Sequence, residues 1–123
     1  MSSKVVQFYL TLRNAIKIYH WNTTSYPRHK ATDEFVQKLD SLTDSFVEIY
    51  IGRYGRDVAL GKAMELSLPG LSDAKAEAFL DEARVWLSDK LPKLLKSTDT
   101  DLLNLRDEIL ALVNQTLYLF TLK

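Results

Sequence analysis

The sequence predicts an all-α fold, a four-helix bundle with a longer crossover between its second and third helices. Apolar residues recur at steps of three and four in four separate segments, which is the period of an amphipathic helix. No alternation of apolar and polar residues is long enough to indicate a sheet. At 123 residues the chain has the length of one domain, and we expect residues 1–123 to form a single helical-bundle unit.

The first predicted helix covers about residues 3–21. Its inward residues are spaced by three or four positions: Val5, Tyr9, Leu12, Ile16 and Tyr19. The polar residues 22–26 read as a turn, and Pro27 suits the first position of the next helix, with Ser25 or Tyr26 as its cap. Because this connection is short, the first two helices should be antiparallel neighbours.

The second predicted helix runs from about residue 27 to residue 54. Its apolar side consists of Phe35, Leu39, Leu42, Phe46, Ile49 and Tyr50. Gly52 and Gly55 weaken its end. Residues 56–70 then form the crossover, for which we expect one short helix near 58–66, closed by Pro69-Gly70.

The third predicted helix follows Ser72 as its cap, and Pro92 breaks or kinks it. Its inner side is expected to hold Leu71, Ala74, Ala78, Val85 and Trp86. The fourth helix begins at Thr98 or Asp99, where Thr98 and Asp101 have the spacing of a capping box. Its inward residues are Leu102, Leu105, Ile109, Leu112, Val113, Thr116 and Phe120.

Composition narrows the possible functions. Sixteen Lys and Arg balance sixteen Asp and Glu, which argues against a polybasic nucleic-acid tail or a membrane-surface helix. The absence of cysteine excludes disulfides, thiolate metal sites and a cysteine nucleophile. No signal-peptide core, membrane-length apolar run, phosphate-binding glycine loop or nucleophile elbow is present, so we expect a cytoplasmic protein without hydrolase or transferase chemistry.

One polar stripe on the second helix carries the candidate metal chemistry. At 100° per residue, His29, Asp33, Asp44 and Glu48 fall within about 100° of one another, away from the apolar side. His29 with Asp33, and Asp44 with Glu48, are one turn apart, so each pair forms half of a metal site. His20, at the end of the first helix, could join the first half-site.

The two half-sites are about 22 Å apart along one helix, so they cannot share a metal within one chain. If the second helix packs antiparallel against its twofold mate, two equivalent sites between subunits arise. The alternative is a solvated carboxylate face, in which His29 and Asp33 are a surface pair and His20 is a helix-terminal histidine stabilised by the dipole.

A family resemblance rests on the same residues. His20-Trp21-Asn22, a short loop, and His29-x3-Asp33-x10-Asp44-x3-Glu48 resemble the Dps-like miniferritins, DNA-protecting relatives of ferritin. In that family a His-Trp pair ends the first helix, a His-x3-Asp pair opens the second, and an Asp-x3-Glu pair follows. The resemblance covers mainly residues 8–56 and implies a ferritin-like up-down bundle.

The resemblance implies that His20, His29 and Asp33 of one subunit bind iron together with Asp44 and Glu48 of a twofold partner. Trp21 would lie close to the metal, and no catalytic residue is expected apart from the ligands. The implied activity is oxidation of Fe(II) to Fe(III) by peroxide or dioxygen, for iron sequestration and oxidative protection. Zinc or another divalent metal could replace iron.

The expected partner is a second copy of the chain, in a homo-oligomer built on this dimer, up to a dodecamer. The histidine-tryptophan pattern also resembles short uncharacterised proteins of large DNA viruses, for which a virion-associated location would follow.

Two other functions stay open. The first is a non-catalytic helical scaffold, a virion or assembly component that keeps the bundle without iron turnover. The second is nucleic-acid binding through the basic first segment, because every acidic residue lies at or after Asp33. The cations that precede it are Lys4, Arg13, Lys17, Arg28 and Lys30. Their wide spacing favours the solvated face of a helix over a nucleic-acid site.

Overall fold

Four α-helices form the bundle in the computed structural model, which describes residues 3–56 and 60–123. The helices are α1 (Lys4–Asn22), α2 (Tyr26–Tyr54), α3 (Asp73–Val85) and α4 (Thr100–Leu119). A π-helical turn (Trp86–Lys90) and a 3-10 turn (Leu91–Leu94) continue α3, as expected from the break at Pro92. No strand occurs in these two ranges, so the predicted all-α four-helix bundle is confirmed.

Contacts near the helix ends give the direction of each helix. Arg13 of α1 pairs with Asp40 of α2, and His20 meets His29, so α1 and α2 are antiparallel. Arg53 near the end of α2 pairs with Asp101 at the start of α4, which makes these two helices antiparallel as well.

The third helix runs parallel to α2. Tyr19, near the end of α1, donates a hydrogen bond to Asp73 at the start of α3, while Phe8 near the start of α1 stacks on Trp86. The helices therefore run up, down, down and up. The connection between α2 and α3 must return along the whole length of the bundle, as the predicted crossover requires.

The described part of this crossover contains no helix. Gly55 caps α2 with a φ of 82°, a left-handed value that favours glycine. Residues 60–62 form a turn and a bend, and the chain then continues without regular structure to Ser72. The short helix predicted near 58–66 is therefore wrong for residues 60–66, while residues 58 and 59 lie outside the described residues. Leu60 and Leu68 are exposed and Met64 and Leu66 are only half-buried, so residues 60–68 have no fully buried apolar face that would stabilise a helix.

Three of the four predicted inner faces are confirmed. The inward residues of α1, α2 and α4 are buried or half-buried, and they join one continuous core. Tyr19, Tyr50, Phe35 and Phe46 are its largest fully buried side chains.

The predicted inner face of α3 is wrong except for Leu71 and the half-buried Trp86. Ala74, Ala78 and Val85 are exposed. The buried positions are instead Ala76, Leu80, Ala83, Leu87 and Leu91. Alanines occur on both sides of this helix, so its apolar pattern does not single out one face.

Two of the predicted N-terminal helix caps are confirmed, and one is wrong. Ser25 and Ser72 cap α2 and α3 by accepting hydrogen bonds from Arg28 N and Lys75 N. The capping box of Thr98 and Asp101 is wrong, because α4 begins at Thr100 with Asp99 as its N-cap residue. Over the described residues, no helix is long and apolar enough to cross a membrane.

Candidate metal centre

The turn between α1 and α2 brings the two histidines of the chain together. Only residues 23–25 separate the helices, and Thr23 Oγ1 accepts a hydrogen bond from Ser25 N. Pro27 lies in the first turn of α2, where its missing N–H costs no helical hydrogen bond. Because the turn is so short, the last residues of α1 lie against the first residues of α2.

The imidazoles of His20 and His29 are bonded crosswise. His20 Nδ1 lies 2.8 Å from the carbonyl oxygen of His29, and His29 Nδ1 lies 3.0 Å from the carbonyl oxygen of His20. The rings are stacked, with centroids 4.0 Å apart and planes 16° apart. Thr32 Oγ1 lies 3.0 Å from the same His20 nitrogen.

This bonding fixes the tautomer of both rings. A carbonyl oxygen only accepts, so Nδ1 of each imidazole must carry the hydrogen, which leaves a lone pair on Nε2. Among the described residues, neither Nε2 atom has a hydrogen-bond partner. A backbone carbonyl bound to one ring nitrogen is the arrangement that orients metal-binding histidines through the other nitrogen.

Asp33 completes the predicted first half-site, and Trp21 was expected to lie close to it. Asp33 is half-buried one turn after His29, and its Oδ2 accepts a hydrogen bond of 3.3 Å from Gln37. Trp21 is 68% exposed, with Lys17 Nζ 5.3 Å from its ring centroid. The indole therefore faces outward on the surface of α1, next to His20 in sequence.

Asp44 and Glu48, the predicted second half-site, lie on exposed turns of α2. Asp44 raises the pKa of Glu48, first through a hydrogen bond between the two side chains and then through its charge. Two ionised carboxylates have only acceptors to offer each other, so their approach favours a shared proton or a bound cation. Asp40, between the half-sites, is held by Arg13 through two hydrogen bonds of 3.1 and 3.3 Å.

The structure does not bring all five predicted ligands together in one chain. Within residues 3–56 and 60–123, no group of three or more His, Asp or Glu side chains could hold a metal ion. His20 and His29 meet each other, and Asp44 meets Glu48. The half-sites lie on the same exposed side of α2, but they are separated along it by about 22 Å.

The sequence interpretation missed the role of Arg28, which clamps four parts of the chain beside the histidines. Its guanidinium donates to Tyr19 Oη, the carbonyl of Asp73, Glu77 and the carbonyl of Phe120. It also lies 4.5 Å from the Phe120 ring centroid. A sequence signal existed, because the helix dipole disfavours a cation in the first turn of α2.

The same network shifts the pKa values of Tyr19 and Asp73 in opposite directions. Burial, followed by the 2.6 Å hydrogen bond that it donates to Asp73, raises the pKa of Tyr19. That hydrogen bond from Tyr19 also lowers the pKa of Asp73. With Arg28 in this clamp and Arg13 bound to Asp40, both arginines among the early cations make contacts inside the chain.

A protein family and a phage protein match this chain over most of its length. The model of a family of unknown function, DUF5856, matches residues 20–120. A protein of Enterobacteria phage T4, described as an uncharacterized 14.6 kDa protein in the mobD-ri intergenic region, is 30% identical over 119 residues. That match covers 94% of this chain and 87% of the phage protein. No solved structure matches the chain.

Proposed function

The chain belongs to the DUF5856 family, and we propose that it is a Dps-like ferroxidase whose iron sites are completed across a twofold subunit interface. The observation that carries this proposal is the crosswise bonding of His20 and His29. It presents two Nε2 lone pairs at the end of α1 and the start of α2, one turn from the Asp33 carboxylate. Two nitrogen donors and one carboxylate form half of a site that suits Fe(II).

The outer surface of α1 and α2 supports a second copy of the chain as the partner. Leu10, Ile18 and Trp21 of α1 are 41%, 43% and 68% exposed, and their spacing places them on one side of the helix. Leu10 lies along a groove that also contains Asp40 and Asp44 of α2. Exposed apolar residues beside an acidic row favour association between subunits.

A twofold axis across this surface would complete the site. In an antiparallel pair of α2 helices, the His29 end of one helix lies opposite the Asp44 end of the other. Each dimer then contains two equivalent sites, each with His20, His29 and Asp33 from one chain and Asp44 and Glu48 from its partner. The lengthwise crossover between α2 and α3 also agrees with the connectivity of ferritin-like bundles.

In this proposal Fe(II) is the substrate. Carboxylate oxygens are hard ligands that favour the ferric product, and the histidines supply nitrogen donors. Two Fe(II) ions give one electron each to one hydrogen peroxide, which takes up two protons and leaves as two waters. The residues of the chain bind and orient the iron, while peroxide or dioxygen acts as the oxidant.

Metal counting tests this function directly. Fe(II) is added anaerobically to the purified protein, bound iron is counted per subunit, and peroxide is then admitted while Fe(III) formation is followed. We expect Asp44→Ala with Glu48→Ala to abolish peroxide-dependent oxidation. The matched control is Asp40→Ala, which removes a carboxylate of the same stripe that is paired with Arg13 and should retain oxidation.

A mixed-subunit experiment tests whether the site is shared. One variant carries His29→Ala and Asp33→Ala, and the other carries Asp44→Ala and Glu48→Ala. Each alone should be inactive, whereas equal co-expression should restore about a quarter of the wild-type sites, because half of the dimers then contain one intact site. No restoration would exclude the shared site, and absence of iron binding by the wild-type protein would favour the non-catalytic scaffold.

A further inference from the structure

A continuous row of aromatic side chains crosses the bundle from α3 to the end of α2. In order, its members are Trp86, Phe8, Tyr9, Phe46, Tyr50 and Tyr54. The centroids of neighbouring rings are between 3.9 and 6.2 Å apart. These separations are those of rings in direct contact, so π-systems follow one another without an aliphatic gap. We call this set the aromatic row.

The two ends of the aromatic row meet solvent, while its centre is buried. Trp86 is half-buried and lines an open groove between α1 and α3. Tyr9 and Phe46 are 2% and 0% exposed. Tyr54 is half-buried at the last residue of α2. The row therefore connects one side of the surface with another through the core.

The tyrosines at the centre and at the end of the row differ in their hydroxyl groups. Within the described residues, Tyr9 Oη is a buried atom without a hydrogen-bond partner. Tyr54 Oη donates a hydrogen bond to Oδ2 of Asp99. A phenol that loses an electron becomes strongly acidic, so a tyrosine with a carboxylate acceptor is oxidised far more readily than one without a base.

Asp99 is well placed to receive that proton. It is 2% exposed. Its carboxylate also accepts a hydrogen bond from the backbone N–H of Lys96 and forms an ion pair with Arg53. The hydrogen bond from Tyr54, then that from Lys96 N, and the charges of Arg53 and Lys96 lower the pKa of Asp99. The carboxylate is therefore ionised at neutral pH, and the oxidised phenol is acidic enough to transfer its proton to it.

We propose that the aromatic row transfers a one-electron oxidation from Trp86 to Tyr54, with Asp99 as the proton acceptor. An external one-electron oxidant removes an electron from the Trp86 indole, which releases its N–H proton to water. Tyr54 then passes an electron through the row to Trp86 and its hydroxyl proton to Asp99, and the indole regains a proton from water. The products are intact Trp86, a Tyr54 phenoxyl radical and protonated Asp99.

This inference is independent of the proposed iron site, since neither end of the row includes a predicted metal ligand. Phe8 and Phe46 are not oxidised in the scheme and serve only as bridging rings. The transfer would remove an oxidising equivalent from Trp86 and deliver it to a residue at the end of a helix. That is a protective activity of the bundle against one-electron oxidants.

The test uses the metal-free, full-length protein with Trp21→Phe, so that Trp86 is the sole tryptophan. Azide radicals generated by pulse radiolysis oxidise the indole, and the absorption bands of the tryptophan and tyrosyl radicals are followed in time. We expect the tryptophan radical to decay as the tyrosyl radical grows, at a rate that does not depend on protein concentration. A rate proportional to protein concentration, or no tryptophan radical at all, would overturn the proposal.

Two substitutions identify the acceptor. Tyr54→Phe should abolish the concentration-independent phase, whereas Tyr118→Phe, which changes an exposed tyrosine outside the row, should leave it unchanged. An unchanged phase in Tyr54→Phe would overturn the assignment of Tyr54. Asp99→Asn, checked for folding by circular dichroism, should slow the phase by about a hundredfold, because the proton acceptor is lost. An unchanged rate in this folded variant would overturn the role of Asp99.

Discussion

Individual polar side chains in this bundle are mostly satisfied in pairs. His20 and His29 bond each other's backbone carbonyls, and Arg13 holds Asp40. In the part of the chain that the structure describes, Tyr9 Oη is the buried side-chain atom that lacks a partner. Its burial raises the pKa of the phenol, because the charged form would lie in the apolar core.

Replacing Tyr9 with phenylalanine should stabilise the protein. The ring contacts with Phe8 and Phe46 would remain, and the unsatisfied hydroxyl would be removed, so the free energy of unfolding should rise by about 1 kcal/mol. Urea unfolding followed by circular dichroism measures the change. Tyr118→Phe, at an exposed position, is the control and should alter stability little. A clear loss of stability in Tyr9→Phe would mean that the hydroxyl has a partner after all.

The contact between Asp44 and Glu48 predicts that a substitution at Asp44 changes the pKa of the Glu48 carboxyl group. Asp44→Asn removes the neighbouring charge and supplies a donor, so the pKa of Glu48 should fall towards its ordinary value. The carboxyl carbon shift of Glu48, followed by NMR during a pH titration, reports this pKa. Asp33→Asn, several turns away on α2, should leave it unchanged. An unaltered Glu48 titration in Asp44→Asn would contradict the coupling.

The raised pKa of Glu48 also makes the free energy of unfolding depend on pH in a defined direction. Because the pKa of Glu48 is higher in the folded state, its relative stabilisation is present at pH values below the unfolded pKa and is lost as pH rises through the folded pKa. Asp44→Asn should therefore raise stability at neutral pH and have less effect in acid. A bound cation would relieve the same repulsion, so wild-type metal binding should weaken as pH falls.

At the scale of helices, Arg28 fixes the end of the bundle that carries the histidines. Its side chain is 12% exposed and joins α1, α3 and the end of α4 to the first turn of α2. Arg28→Ala should lower the free energy of unfolding by about 2 kcal/mol, because two part-buried acceptors, Tyr19 Oη and the carbonyl oxygen of Phe120, lose a charged donor. Thermal and urea unfolding measure this loss.

Lys30→Ala is the matched control for Arg28, since Lys30 is an exposed cation two residues later. It should change stability little. If the two substitutions lower the free energy of unfolding equally, the hydrogen bonds of Arg28 add nothing to stability beyond the effect of its positive charge. Since Arg28 adjoins His29, we also expect the stacking of the two imidazoles to loosen in Arg28→Ala, visible in their NMR shifts.

The helices differ in how far sequence could predict them. In α1, α2 and α4, large apolar residues repeat at helical spacing, so each pattern indicates one inner face. In α3 the small alanines on both sides carry little information, and the large apolar Val85, which is exposed, favoured the wrong face. Within the π-helical turn that follows Val85, the carbonyl of Leu87 accepts a hydrogen bond from Arg106, a contact across 19 positions that no local pattern encodes.

The candidate site could also be predicted only as far as local helical spacing determines it. Spacing along α2 predicted which residues share the exposed stripe, because helical geometry fixes their angular positions. The crosswise bonding of His20 and His29 depends on the three-residue turn and on both imidazole rotamers, so it could not be read from spacing. The polar contacts of Arg28 join residues up to 92 positions apart, beyond the reach of local reasoning.

At the scale of the whole molecule, the balanced net charge conceals an uneven distribution. The first segment has no acidic residue, whereas α2 carries the acidic stripe, and both lie on the surface formed by α1 and α2. In a twofold dimer, α1 of each subunit would meet the acidic α2 of the other, so opposite charges would face each other. Salt should therefore weaken the association, because exposed charges are screened.

In the proposed twofold dimer, a charge placed in the middle of this surface should separate the subunits. Leu10→Glu puts a carboxylate beside Asp40 and Asp44 in the groove between α1 and α2, and we expect the dimer dissociation constant to rise about tenfold or more. Sedimentation equilibrium at several protein concentrations measures it. Val85→Glu changes another exposed apolar residue, on α3, and should leave the constant unchanged. If both variants weaken association equally, or if Leu10→Glu has no effect, subunits do not meet through α1 and α2, and the iron site cannot be completed there.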